Sequence, residues 1–385
     1  MRFLSGIVVI FFVLVASSMG MEDGISFEAA DVEDTIHAAI RYIYNLEYEK
    51  SYRLFESVFY SHPFAPFGTI AVEWLLNQQR DSFEEANQNL ERSVFTVSSY
   101  YRRLIKSYPD DYRILFYYGL TMGLKARVLL GKKDWVGVLI NGYKSYSCIK
   151  TAWEKNADYD ACFPIGLFTY YVGVSSAYMK IATALLGVSG SKEDGLKQIE
   201  VTAQKGNYGK YEARSTLAFI YLFLEGNYKK ALKYSSIMAK DFPNNPYFKY
   251  LMAESYIGMG KYDGVELLIE EMKRMSSALR GRVKRETTFR INLLQASLAL
   301  YGGRLREADK FFRECLNYTD FELDYELGNL YLRLGYMYDA VGDREKAKKW
   351  YKKVMKLDNR SVACKEAAVR YKEPFSLGTF QECVK

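Results

Sequence analysis

The sequence predicts an all-α protein, a solenoid in which antiparallel helix pairs stack on one another. Prolines are few, with 7 among 385 residues, while hydrophobic residues make up 49% and charged residues 26%. Such a chain favours long helices with few breaks and a large buried core. In addition, a pattern of glycine, small and aromatic residues recurs roughly every 34 residues, which is typical of stacked helical repeats.

The clearest repeat unit runs over residues 329–359. Its first half contains Leu334-Gly335 and Tyr338, and Gly342 follows where the chain must turn. In its second half, one apolar stripe has the spacing i, i+3, i+4, i+7 and is formed by Ala347, Trp350, Tyr351 and Val354. Lysines 346, 349, 353 and 356 form a second, solvated stripe beside it. The unit therefore predicts two antiparallel helices that bury one face.

Further segments repeat this register. The equivalent positions are held by Gly226, Tyr228, Ala231 and Pro243; by Tyr256, Gly260, Tyr262 and Val265; by Gly303, Leu305, Ala308 and Phe312; and by Tyr42, Tyr48, Ser51, Phe55 and Pro63. A hairpin over 179–208, with Gly190 at its turn, also fits. The spacing resembles the tetratricopeptide repeat over residues 32–66 and 176–360. This resemblance implies a right-handed superhelix whose concave side is lined by the first helix of each pair.

Two proline pairs with the same spacing support the register. Pro63 and Pro66 form the first pair, and Pro243 and Pro246 form the second. The first proline of each pair is expected to end one helix, and the second to lie in the first turn of the next, where no N–H is needed.

The middle of the chain departs from the standard unit. Longer helices are predicted over 113–130, 137–156 and 161–186. Residues 185–223, with glycines at 187, 190, 195 and 206, resemble a tetratricopeptide-39-like family of helical repeat proteins without assigned catalysis. The predicted organisation is a signal peptide or anchor at 1–20, repeat-like helix pairs at 21–111, divergent pairs at 112–210, repeat units at 211–360, and a capping helix with a tail at 361–385.

The first 20 residues have the pattern of an export signal. Arg2 precedes an apolar run over 7–16, and Ser18 and Gly20 place small residues before an expected cleavage after Gly20. The alternative is a retained membrane anchor, because no charge occurs over residues 3–20. We therefore expect an exported protein, periplasmic or secreted, or a form anchored by residues 1–20.

Little in the sequence favours catalysis, a cofactor or a metal. The common phosphate-binding, serine-hydrolase and zinc-protease motifs are missing, and the two histidines, His37 and His62, are interpreted as ordinary structural residues. The five cysteines are Cys148, Cys162, Cys315, Cys364 and Cys383. They are either buried free thiols or include one or two disulfides, for example between Cys364 and Cys383. We predict a protein that is not an enzyme and uses no cofactor.

Two sets of residues are candidates for binding. Projection of the repeat register onto the concave side predicts a partner-binding groove formed by Tyr247, Tyr250, Glu254, Arg290, Tyr301, Asn329, Tyr336 and Asp339. Large amphipathic side chains of this kind suit an extended peptide. A basic cluster at 273–285 is either a solvated connection between helices or an anion contact formed by Lys273, Arg274, Arg280, Arg282, Lys284 and Arg285.

These patterns predict an exported scaffold that holds a protein or peptide partner of the cell envelope in the concave groove. Two alternatives stay open, a membrane-associated adaptor and a solenoid that binds a small ligand or glycan. The lysine and asparagine positions that clamp a carboxylate in chaperone-binding repeats hold Thr216, Ile220, Tyr250 and Glu254, so binding of chaperone tails is not expected. Nucleic acid is not an expected partner either, because the net charge of +7 is concentrated in one short cluster.

Overall fold

A computed structural model describes residues 30–377, with the exception of 81, 132–133, 176–182, 185–186, 188 and 322. The described residues form helices joined by turns and contain no β-strand. They belong to two compact units, with the division between Ala213 and Arg214. The prediction of an all-α fold of antiparallel helix pairs is therefore confirmed.

In the N-terminal unit, each first helix packs against the helix that follows it. The pairs are α1 (Ala30–Tyr44) with α2 (Tyr48–Ser57), α3 (Ala65–Arg80) with α4 (Phe83–Ser107), α5 (Tyr112–Gly131) with α6 (Trp135–Lys155), and α7 (Cys162–Val174) with α8 (Lys192–Lys205).

The C-terminal unit continues the same arrangement. Helix α9 (Lys210–Phe219) spans the division and ends in one π-helical turn (Ile220–Leu224), which packs against α10 (Tyr228–Asp241). The next pairs are α11 (Pro246–Gly258) with α12 (Val265–Ser276), α13 (Gly281–Tyr301) with α14 (Leu305–Leu316), and α15 (Tyr325–Ala340) with α16 (Arg344–Leu357). Helix α17 (Val362–Arg370) packs on the last pair, in the segment where a capping helix was predicted.

The predicted turn glycines have the backbone conformation that the turns require. Gly226, Gly260, Gly303 and Gly342 have φ values between 66° and 80°, a region that residues with a Cβ rarely adopt. In two of these turns the next helix begins with a side-chain cap, because Asn227 accepts from the N–H of Lys230 and Asp343 from that of Lys346. The second proline of each pair lies as predicted, since Pro66 and Pro246 are in the first turns of α3 and α11. The first proline directly follows the helix end at Pro243 but not at Pro63, because α2 already ends at Ser57.

Small residues allow the paired helices to approach closely. Ala231, Ala308 and Ala347 are fully buried at equivalent positions of three second helices, α10, α14 and α16. Gly335 lies directly against the ring of Tyr351, where a Cβ would come within 2.2 Å of a ring carbon. The hydroxyl of Tyr351 donates to Asp339 at 2.7 Å, so the ring is fixed in place as well as buried. The contact between first and second helix in this repeat therefore requires glycine at position 335.

The middle region corrects one prediction. The expected helices over 113–130 and 137–156 correspond to α5 and α6, whose ends lie within two residues of the predicted ones. The expected helix over 161–186 instead ends at Val174, where Ser175 adopts an extended backbone. Next to this end, the backbone of Ser191 and Lys192 passes so near Gly173 that a Cβ there would lie 2.5 Å from the Lys192 nitrogen.

Several sequence predictions concern residues outside the described part of the chain. They include the export signal or anchor at 1–20 and the final residues 378–385. Among the described helices, none combines the length and the hydrophobicity needed to cross a bilayer. Cys148, Cys162, Cys315 and Cys364 are free thiols, while Cys383 lies beyond the described residues.

Candidate functional site

The first helices of the C-terminal unit converge, and their own side chains fill the space between them. Arg333 of α15 reaches Glu254 of α11 and forms two hydrogen bonds of 2.8 and 2.6 Å. Phe219 of α9 contacts the ring of Tyr325 in α15, with 5.0 Å between ring centroids. The ammonium of Lys365 in α17 donates to the carbonyl of Leu224 at 3.1 Å, which brings the last helix of the unit onto the first.

A second buried ion pair lies beside the first. The guanidinium of Arg290 in α13 donates to the carboxylate of Glu326 in α15 at 2.8 to 3.1 Å and to Glu286 at 3.2 Å. It also lies over the rings of Tyr247 and Tyr250, 4.8 and 5.6 Å from their centroids. These aromatic faces complete the surroundings of the cation.

The face on which the groove was predicted is packed rather than open. Tyr250, Glu254, Arg290, Tyr301 and Tyr336 are at most 8% exposed. The side chain of Asp339 is 1% exposed, and Asn329 and Tyr247 are partly buried. The physical reason is that the first helices approach closely enough for opposite charges on different repeats to pair. A role of these eight residues in partner binding stays a prediction.

The basic cluster divides into exposed residues and one structural residue. Lys273, Arg274, Arg280, Lys284 and Arg285 are exposed, as a contact for an anion requires. Arg282 is only 7% exposed, because its guanidinium donates to the carboxylate and the carbonyl of Asp320 at 3.0 and 2.9 Å. Arg282 therefore connects α13 to the segment that precedes α15, and the exposed part of the basic cluster consists of the other five residues.

In the N-terminal unit the first helices surround a cavity. Helix α1 contacts the chain at residues 208–212, since Arg41 donates to the hydroxyl of Tyr211 at 2.9 Å and the hydroxyl of Tyr44 donates to Glu212 at 2.7 Å. Helices α3, α5 and α7 contribute the other walls. The space between these walls, which we call the inner cavity, has a volume of about 90 Å³. Its described lining comprises Ile40, Ile43, Tyr44, Phe64, Phe67, Ala71, Phe116, Tyr117, Leu120, Asp160, Phe163, Pro164, Tyr208, Gly209 and Glu212.

The aromatic wall of the inner cavity is rigid because its rings contact one another. Phe64 lies against Tyr208, Tyr117 and Phe67, with centroid distances of 4.8, 5.3 and 5.9 Å. Tyr101 of α4 holds the start of α3 from behind, because its hydroxyl donates to the carbonyl of Pro63 at 2.7 Å and accepts the N–H of Phe67 at 3.0 Å.

The lining of the inner cavity contains two carboxylates, those of Asp160 and Glu212. Asp160 is 6% exposed and accepts the main-chain N–H groups of Tyr208 and Gly209 at 2.8 and 3.1 Å. Burial raises the pKa of Asp160 to about 6, and the neighbouring Asp158 acts in the same direction. Within the described lining there is no Lys, Arg or His, so the fixed charge of the inner cavity is negative.

Both histidines of the sequence lie against Tyr208, next to the inner cavity. The centroids of His37 and His62 are 5.2 and 5.8 Å from that of Tyr208. The Nδ1 atom of His62 accepts the N–H of Phe64 at 3.1 Å, so Nε2 carries the proton and faces Glu33 at 3.5 Å. The hydroxyl of Tyr208 also donates to Glu33. Burial lowers the pKa of His62 to about 4, which keeps the imidazole neutral.

No periodic pattern in the sequence indicates the inner cavity. Its lining comes from helices α1, α3, α5 and α7 and from residues 208–212, and much of it falls in the stretch where the repeat register is weakest. The usable signal was aromatic residues in two places, Phe64 and Phe67 beside the first proline pair and Phe116 and Tyr117 in α5. Across the described residues, no group of His, Cys, Asp or Glu side chains could hold a metal ion.

Comparison with known protein families identifies one repeat in the chain. The family model for the tetratricopeptide repeat matches residues 328–361. No curated protein matches the chain. The resemblance of residues 185–223 to a tetratricopeptide-39-like family stays a prediction.

Solved structures of low similarity were also found. The human IFIT1 dimer with m7Gppp-AAAA has 12% identity and a TM-score of 0.43, over 89% of this chain and 85% of that chain. The apo form of the quorum sensor NprR from B. thuringiensis has 15% identity and a TM-score of 0.38, over 85% and 98%. Yeast Tom70 has 13% identity and a TM-score of 0.37, over 81% and 64%. At this similarity, no ligand or activity is transferred from them to this chain.

The matched repeat has the architecture that its sequence predicts. Residues 328–361 cover most of α15, the turn at Gly342, all of α16 and the cap of α17 at Ser361. The contact of Gly335 with Tyr351 and the buried Ala347 lie inside this segment. The chain therefore contains a tetratricopeptide repeat at residues 328–361.

Proposed function

We propose that the protein is a non-catalytic scaffold that binds a protein or peptide partner, and that the inner cavity of the N-terminal unit receives an anchoring side chain of that partner. Stacked helical repeats generally present binding surfaces on the inner side of the stack. The observation that carries the proposal is the inner cavity itself, because the corresponding face of the C-terminal unit is filled by ion pairs.

The lining indicates the chemistry of the anchor. Aromatic and aliphatic side chains form most of the wall, and Asp160 and Glu212 supply negative charge. An apolar stem with a basic head satisfies both features, because the stem gains from burial and the head from the carboxylates and the tyrosine faces. Lysine and arginine side chains have this form, and a volume of about 90 Å³ suits one such side chain rather than a helix.

A second candidate function is the binding of a small amphipathic molecule. The inner cavity favours it because apolar walls with a few polar groups, contributed by several chain segments, are usual in small-molecule sites. A cationic head on an apolar body would again match the lining. The two candidates share one site and differ in whether the occupant belongs to a polypeptide.

The exported location is part of the proposal. It is supported by the apolar run over residues 7–16 and the small residues at 18 and 20. Sequencing of the N-terminus of the protein purified from its host tests it. A first residue of Met21 supports export with cleavage, and an intact residue 1 favours the anchored adaptor.

The binding proposal is tested by filling the cavity. Ala71 is 5% exposed and lines the inner cavity, so Ala71→Leu places a branched side chain in the space. Ala157 is exposed outside the cavity, and Ala157→Leu is the matched control. Each variant is cross-linked in the native host, purified and analysed by mass spectrometry for bound proteins, and the unfolding midpoint is measured in parallel.

We expect at least a tenfold loss of a stoichiometric partner with Ala71→Leu and none with Ala157→Leu, at equal stability. An unchanged set of partners in a folded Ala71→Leu protein contradicts the assignment of the site. Loss of a bound small molecule in native mass spectrometry, with all protein partners retained, favours the second candidate.

A further inference from the structure

The segment that follows α17 turns back over the inner side of α15. Phe375 is 5% exposed, and its ring stacks on Tyr336 with 4.1 Å between centroids and 13° between planes. The main-chain N–H of Phe375 donates to Oδ2 of Asp339 at 2.8 Å. Residues 371–377 therefore make both a side-chain and a main-chain contact with two residues of the predicted groove.

Hydrogen bonds hold the side chains under this segment in fixed positions. Both oxygens of the Asp339 carboxylate accept from Arg344 at 2.9 Å, and Oδ2 also accepts the hydroxyl of Tyr351 at 2.7 Å. The side chain of Asp339 is 1% exposed. A carboxylate held on several sides in this way has a fixed direction, so the N–H that it accepts must arrive from one position.

Arg344 extends the site toward the end of α17. Its second terminal nitrogen donates to the carbonyls of Arg370 and Tyr371 at 2.7 and 2.9 Å. The surface thus offers an acceptor for a main-chain N–H, donors for main-chain carbonyls, and a tyrosine face for an aromatic ring. These are the groups that an extended peptide presents, and only the aromatic ring depends on the peptide sequence.

We propose that Tyr336, Asp339 and Arg344 form a peptide-binding surface that residues 371–377 of the same chain occupy, and that an extended partner segment carrying an aromatic residue binds there by displacing them. The chain shows what the surface accepts, because Phe375 already lies on it. Displacement is feasible because residues 371–376 belong to no helix, and Phe375 is held on Tyr336 and Asp339 by a ring stack and a main-chain hydrogen bond. This surface lies in the C-terminal unit and is independent of the inner cavity.

The test uses the full chain and a fluorescent peptide with the sequence of residues 371–377, YKEPFSL. Phe375→Ala removes the ring that occupies the surface, and Ser376→Ala, at an exposed neighbouring residue, is the matched control. Binding is measured by fluorescence anisotropy, and folding by circular dichroism and the unfolding midpoint. A second peptide with alanine in place of phenylalanine measures the contribution of the ring.

We expect the Phe375→Ala chain to bind the peptide at least tenfold more tightly than the wild-type and Ser376→Ala chains, and to bind the alanine peptide at least tenfold more weakly. Addition of Tyr336→Ala to the Phe375→Ala chain should remove the gain. Failure of a folded Phe375→Ala chain to bind overturns the proposal. Unfolding of that variant also overturns it, because the segment would then be part of the core. A wild-type dimer that the peptide dissociates overturns the intramolecular assignment in favour of a second copy.

Discussion

Arg333 and Glu254 form a bidentate ion pair across the centre of the C-terminal unit, with both guanidinium nitrogens within 2.8 Å of the carboxylate oxygens. The two side chains are 8% and 2% exposed. The hydroxyl of Ser297 accepts from Arg333 at 2.9 Å, and Asn329 donates to Glu254 at 3.4 Å. Three helix pairs are thus connected to one polar centre, through residues of α11, α13 and α15.

Removal of one partner of this ion pair should lower the free energy of unfolding much more than removal of both partners. Arg333→Met leaves the Glu254 carboxylate buried without its cation, and we expect a loss of about 3–5 kcal/mol in the free energy of unfolding. The double variant Glu254→Met/Arg333→Met removes both charges and should recover most of this loss. Urea unfolding of the variants provides the measurement, with Lys261→Met at an exposed position as the control. Equal losses in the single and the double variant would show that the packing of these two side chains, and not the pairing of their charges, determines the loss of stability.

Gly335 should tolerate no side chain. A Cβ at this position would lie 2.2 Å from a ring carbon of Tyr351, which is itself fully buried. We expect Gly335→Ala to lower the free energy of unfolding by about 1–3 kcal/mol through overpacking. Gly142 in α6 has nothing within 4 Å of its Cβ position, so Gly142→Ala should be neutral or raise stability by up to about 1 kcal/mol. Thermal unfolding distinguishes the two, and equal midpoints would count against the contact.

The pH dependence of stability should contain two opposite contributions beside the inner cavity. Burial raises the pKa of Asp160 to about 6, and Asp158 acts in the same direction, so its contribution to stability is present at low pH and is lost as pH rises from about 4 to 6. Burial lowers the pKa of His62 to about 4, with Glu33 opposing this shift and Arg113 adding to it, so its contribution is present above about pH 6.5 and is lost as pH falls toward 4. Each amounts to roughly 3 kcal/mol, and in the wild-type chain the two nearly cancel.

Single variants should reveal these contributions. In Asp160→Asn the free energy of unfolding should rise between pH 4 and 6 relative to the wild-type curve. In His62→Asn, which keeps an acceptor for the N–H of Phe64, it should fall over the same interval. Urea unfolding at half-unit steps of pH measures both, and the double variant should again follow the wild type. Curves parallel to wild type in both single variants would contradict the buried titrations.

Substitutions in the basic cluster should separate stability from anion binding. Arg282→Ala removes the hydrogen bonds to Asp320 and should cost about 1–3 kcal/mol in the free energy of unfolding. Lys284→Ala, at an exposed position, should leave stability within about 0.5 kcal/mol. In sedimentation with vesicles containing phosphatidylserine, only Lys284→Ala should weaken binding beyond its effect on folding. Equal destabilisation by Arg282→Ala and Lys284→Ala would contradict a structural role of Arg282 that Lys284 lacks.

The repeat architecture could be predicted because its determinants are local. Gly342 turns the chain, Ala347 and Tyr351 follow it at helical spacing, and Gly226, Gly260 and Gly303 repeat the same turn. Such positions depend on contacts within one helix pair, so they leave a periodic trace in the sequence.

The candidate site could not be predicted in the same way, because it depends on contacts between distant repeats. Glu254 and Arg333 are 79 positions apart, and no periodic pattern tells whether such residues line an open groove or pair with each other. The inner cavity likewise combines Tyr44, Phe64 and Glu212 from distant parts of the chain. The early end of α7 lies beside another contact between distant segments, that of Gly173 with residues 191–192.

Because the Phe375 amide donates to Asp339, hydrogen exchange at this amide measures how often residues 371–377 leave the surface beneath them. This N–H belongs to a segment outside the helices, yet it is bonded to a buried carboxylate. Its exchange with deuterium therefore requires the segment to leave Tyr336, while the amides of Glu373 and Lys372 are bonded to α17. The ratio of its exchange rate to that of a free peptide gives the fraction of time for which the surface under the segment is vacant, without any ligand or label.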